Sequence, residues 1–70
     1  MIERVEYSRV QNHLGQCGIS VAFIFDTDNV DLFEFFEQSD IDYLMRFLVD
    51  PVTPEEVMLA IRNRAKITVH

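Results

Sequence analysis

Hydrophobic positions recur along this chain in two different periods. Residues 3–10 (ERVEYSRV) place Val5 and Tyr7 on one face of an extended segment, the pattern of a half-exposed strand. Residues 19–25 (ISVAFIF) are an unbroken apolar run, short and rich in β-branched and aromatic side chains, which predicts a buried strand. Asn12, Gly15 and Gly18 mark a loop between them, so 3–10 and 18–26 are expected to pair as an antiparallel hairpin.

Beyond the hairpin the period lengthens. Asp26-Thr27-Asp28-Asn29 is a run of helix-capping and turn-forming residues, and it predicts a helix over about 29–38. At 100° per residue Asp31, Glu34, Glu37 and Gln38 share one arc, opposite Leu32, Phe33, Phe35 and Phe36. Ser39 reads as the N-cap of a second helix, about 40–49, with Asp42 three residues on and Ile41, Leu44, Met45 and Leu48 as its core face. Thr53-Pro54-Glu55-Glu56 supplies an N-cap, a proline at the first helical position and a capping-box glutamate. A third helix, about 54–65, is expected there, with Val57, Met58, Ala60, Ile61 and Ala65 inward. Ile67-Thr68-Val69 predicts a short C-terminal strand, 66–69, that joins the hairpin. The expected fold class is α+β: residues 1–70 as a single domain, with a small antiparallel sheet and three helices packed on one face.

Composition sharpens this outline. Hydrophobic residues make up 49% of the chain and six are Phe, as in a packed globule. Cys17 is the single cysteine, so no internal disulfide forms, and no Cys/His cluster has zinc spacing. A chain this short without either staple is expected to gain stability from a partner or from its own copy. No apolar window approaches the roughly 18 residues that span a membrane, and Met1-Ile2-Glu3-Arg4 does not open a signal segment. A cytoplasmic protein is expected, in the host cytoplasm if it is viral.

The net charge of −6 is unevenly placed. Glu3 and Glu6 balance Arg4 and Arg9 in residues 1–25. Residues 26–56 then carry ten acids against Arg46 alone, and residues 57–70 carry Arg62, Arg64 and Lys66 without an acid. An acidic middle repels phosphates, which argues against direct nucleic-acid binding.

Two short segments invite a chemical reading. Phe23 to Val30 is an apolar strand ending in two aspartates one residue apart, and it resembles the first motif of the haloacid-dehalogenase-like phosphatases. The resemblance implies a nucleophilic Asp26, an acid–base Asp28 and a magnesium ion. It covers eight of the 70 residues, and Asn29-Val30 stands where that family has Gly-Thr. The family also needs a lysine and carboxylates from later strands of a parallel sheet, and the simpler reading makes both aspartates helix caps. Asp26, Asp28 and Glu37 further match the first, third and twelfth positions of a calcium loop, but Val30 and Asp31 fail the fifth and sixth. His13 lies four residues before Cys17 with nothing to orient the pair. No catalytic residue, metal site or cofactor is assigned.

Two surfaces remain for binding. Tyr43 and Phe47, four residues apart, lie on the flank of the second predicted helix, beyond what one buried stripe needs. The arc of Asp31, Glu34 and Glu37, continued by Asp40 and Asp42, would present one negative field to a basic protein surface. The expectation is a small acidic protein-binding module, an inhibitor or modulator occupying a basic, nucleic-acid-binding site on a larger protein, by analogy of size and charge with phage and mobile-element proteins. The alternative is a structural or accessory subunit of a homo-oligomer such as a homodimer. A magnesium-dependent phosphatase using Asp26 and Asp28 is the remote one.

Overall fold

Three strands pair in chain order: β1 (Ile2–Gln11), β2 (Cys17–Phe25) and β3 (Val30–Phe35) form an antiparallel meander with β2 at its centre. Two helices follow, α1 (Gln38–Val49) and α2 (Pro54–Thr68). The computed structural model describes residues 1–68.

The expected hairpin is present. β1 and β2 pair from Arg4 opposite Ile24 to Gln11 opposite Cys17, with a bulge between Ile2 and Arg4. Its loop is closed by the Asn12 N–H donating to the Gln16 carbonyl at 3.0 Å and the Gly15 N–H donating to the Asn12 carbonyl at 3.0 Å. Gly15 takes φ +81°, the left-handed conformation that ends a three-residue hairpin loop. The Asn12 side chain accepts the Leu14 and Gln16 N–H groups at 2.9 and 3.0 Å, fixing the turn from within.

The stretch expected as a helix over 29–38 is instead β3, so the fold has two helices and not three. The β2–β3 connection repeats the first loop. The Phe25 N–H donates to the Asn29 carbonyl at 2.9 Å, the Asp28 N–H donates to the Phe25 carbonyl at 3.1 Å, and Asp28 takes φ +66°. Asp26 and Asp28 therefore belong to a hairpin loop and cap no helix. Along β3 the side chains alternate: Asp31, Phe33 and Phe35 are half-buried, while Val30, Leu32 and Glu34 are exposed. A charge on the inner face and two aliphatics on the outer one disguise the period of two. Asp31 is matched across the layers by Arg62 of α2, at 3.7 Å.

Helices cover one face of the sheet. Val21 and Phe23 of β2 pack with Leu44 of α1 and Val57, Met58 and Ile61 of α2 to form the buried core. Phe23 meets Phe33 edge to face at 5.8 Å. On the other face, near the hairpin end, Phe36 covers Gly18. A Cβ on Gly18 would lie under 3.0 Å from the Phe36 ring and from the Phe35 carbonyl.

α1 begins at Gln38 with Glu37 as N-cap, not at Ser39, which lies inside the helix; Asp42 accepts from Gln38 Nε2 at 2.9 Å and closes no capping box with Ser39. α2 starts as expected, the Thr53 hydroxyl accepting the Glu56 N–H at 3.3 Å and donating to the Glu56 carboxylate at 3.2 Å. It does not stop where expected. No Gly or Pro follows Pro54, so nothing breaks the helix, and residues 66–68 of the predicted strand 66–69 are helical. Val69 and the side chain of Ala65 lie outside the described residues. No described helix is long and apolar enough to cross a membrane.

Candidate functional site

The helical roll of α1 decides which apolar residues are free. The sequence pattern gives this helix a core face of Ile41, Leu44, Met45 and Leu48, with Tyr43 and Phe47 on the flank. The structure turns Leu44 into the core, with Tyr43 and Phe47 half-buried beside it. Met45 and Leu48 are left 44% and 47% exposed. The expected core face is thus split, with Leu44 buried and Ile41 half-buried but Met45 and Leu48 exposed, and the flank pair Tyr43/Phe47 packs against the core.

Arg64 of α2 lies against this face of α1. Its guanidinium lies over the Tyr43 ring, 4.6 Å from the centroid, while its Nε donates to Asp40. Arg46 approaches the same ring at 5.2 Å, and Tyr43 stacks edge to face on Phe47 at 5.6 Å. A ring placed among cations, another ring and a paired carboxylate gains more from facing α2 than a methionine would. This cluster joins the two helices through contacts that sequence spacing does not reveal, because Arg64 and Asp40 lie far apart in the chain.

What the roll leaves open is a groove of about 820 Å³. Ile41, Met45 and Leu48 form one wall; Tyr7, Val10 and Ile19 of the β1–β2 hairpin contribute to the other. Among the described residues Arg9 is the single charged one along its lining, and the exposed thiol of Cys17 stands at its margin. Burial lifts the Tyr7 phenol above its ordinary pKa, since a phenolate there would lose hydration.

The acidic arc is not formed, because the helix that would carry it is a strand. Asp31 turns inward to Arg62, Asp40 is held by Arg64, and Asp42 by Gln38. Glu34 is exposed on the uncovered face of the sheet, and Glu37 is exposed at the start of α1. Five carboxylates expected in one row are thus dispersed over two faces and a helix end. Asp26 and Asp28 sit exposed on the second hairpin loop, Asp26 3.6 Å from the N-terminal ammonium. Among the described residues no three His, Cys, Asp or Glu side chains converge as a metal-binding group.

No protein-family model, no curated protein and no solved structure matches this chain.

Proposed function

We propose that this protein is a small acidic binding module that modulates a larger protein by seating an apolar segment of that partner in the groove between α1 and the β1–β2 hairpin. The observation that carries this reading is the exposure of Met45 and Leu48 together along one wall of an open apolar groove. Concave, mostly apolar surfaces with few charges are the usual seats of recognition. In a chain this short such a row is costly to leave in water unless something covers it.

The net charge of −6 supports a partner with a basic surface. Glu37, Asp42, Asp50, Glu55 and Glu56 are all exposed on or beside the helices, so a negative field surrounds the helical layer without a single acidic row. Such a field would favour a partner whose apolar segment is flanked by basic residues. Affinity capture with wild type beside Met45→Glu/Leu48→Glu tests the proposal. The expected result is a partner held by wild type, released as salt rises and absent from the double variant. Identical partners for both proteins would overturn it.

A second reading, an accessory subunit of a homo-oligomer, is favoured by the sheet edges. β1 and β3 each have a neighbour on one side only.

A further inference from the structure

We propose that two copies of this chain associate edge to edge through β1, antiparallel, about a two-fold axis at Val5. The edge is long and, among the described residues, has no strand beyond it. β1 runs for ten residues without a proline, and its one irregularity, the bulge between Ile2 and Arg4, lies near its start. Edge strands of soluble proteins are normally blocked or covered, because unpaired backbone groups template further pairing.

Hydrogen-bond alternation fixes which groups are free. The Asn12 N–H bonds to the Gln16 carbonyl, and in an antiparallel ladder bonded pairs alternate with unbonded ones. Val10, Ser8, Glu6 and Arg4 therefore bond to β2, while the N–H and C=O of Val5, Tyr7 and Arg9 point away from it. A two-fold axis at Tyr7 pairs these groups among themselves, Tyr7 with Tyr7 and Val5 with Arg9, whereas an axis at Val5 pairs Val5 with itself and Tyr7 with Glu3.

Charge chooses between them. With the axis at Val5, Arg4 of each copy lies opposite Glu6 of the other, twice. These two side chains share the uncovered face of the sheet and already attract within one chain, Arg4 Nε donating to Glu6 at 2.8 Å. With the axis at Tyr7, Arg4 would meet Val10 and Glu6 would meet Ser8, and with the axis at Glu6 that carboxylate would face its own copy. The Val5 register gives a regular ladder over residues 4–6, with Tyr7 set opposite Glu3, the residue in the bulge.

The other edge lacks this match. β3 carries Asp31 and Glu34 and no base, so no register of β3 against itself pairs opposite charges. In a molecule of net charge −6, residues 2–11 hold two acids and two bases and are neutral, so that of the two edge strands β1 is the one at which two copies meet without net repulsion.

The inference stands apart from the groove: a groove that binds nothing leaves it intact, and a monomeric protein leaves the groove reading intact. Sedimentation of the whole chain up to submillimolar concentration tests it, with Arg4→Glu, Glu6→Arg and the double exchange. Both exchanged residues are exposed, so folding is preserved. Each single change should weaken association at least about tenfold, because symmetry doubles each repulsive pair, and the double exchange should restore it to within about threefold. Mixed isotope labelling should show Val5 protons of one copy against Val5 of the other. A wild type that stays monomeric, association indifferent to the single charge changes, or Tyr7-to-Tyr7 contacts in place of Val5 would each overturn the proposal.

Discussion

Asp28 occupies in the second hairpin the position that Gly15 occupies in the first: each is the last residue of a three-residue loop, and each has a left-handed backbone, φ +66° and +81°. An L-residue pays about 1–2 kcal/mol for that conformation, somewhat less when it is Asp or Asn. Gly15→Ala should therefore destabilise the fold by about 1 kcal/mol, and Asp28→Gly should be neutral or stabilising by up to about 1 kcal/mol. Urea titration of the two variants beside wild type reads both signs. Equal destabilisation by both would contradict the shared loop geometry.

The roll of α1 makes opposite predictions for neighbouring residues. Leu44→Ala should cost about 2–5 kcal/mol, since Leu44 is fully buried among Val57 and Ile61. Phe47→Ala should cost about 1–3 kcal/mol through lost ring contacts. Met45→Glu should change stability by no more than about 0.5 kcal/mol, because the side chain already faces solvent. A large loss at Met45 with little at Phe47 would place the helix in the orientation that the sequence pattern alone suggests.

Gly18 has no tolerance for a side chain. Its Cβ would press on both the Phe36 ring and the Phe35 carbonyl. Gly18→Ala is expected to lower stability by at least about 2 kcal/mol. Adding Phe36→Ala should recover only part of this, because the carbonyl stays in place; complete recovery in a thermal melt would mean that the ring alone sets the limit.

Tyr7 predicts a pH dependence. Its pKa is raised in the folded chain by burial, so the folded state holds the phenolic proton more tightly than the unfolded state does. Stability is then unaffected well below the unfolded value of about 10 and declines as pH rises from there through the folded value. Denaturation midpoints measured from neutral pH into the alkaline range should fall, and Tyr7→Phe should remove part of the fall.

The Thr53 cap should be worth about 1 kcal/mol. Thr53→Ala deletes both its bond from the Glu56 N–H and its bond to the Glu56 carboxylate. Helix-sensitive circular dichroism during unfolding checks the loss.

Where local chemistry is decisive the sequence is a good guide. The β1–β2 hairpin and the start of α2 follow from Asn12, Gly15 and the Thr53 box, each of which acts through bonds to its own neighbours. β3 is obscured because its alternation is broken by function of position: Asp31 is admitted to the inner face by Arg62, a residue two elements away, and Leu32 stays outside. The end of α2 is obscured by the β-branched Ile67 and Thr68, whose strand preference is weak beside an uninterrupted helix. The groove was legible only as an excess of apolar residues on one helix. On the buried side of α1, Arg64 of α2 meets Tyr43 and Asp40, and no period in the sequence reports that contact.

The meander has a bearing on how the chain reaches this state. Each strand finds its partner in the segment immediately before it, so the ladder can assemble progressively from the N-terminal end during synthesis, with only short loops to close. The helices emerge after the sheet and arrive at a template already in register. Until they do, Val21 and Phe23 stand uncovered, and that interval is when the nascent chain is most exposed to aggregation.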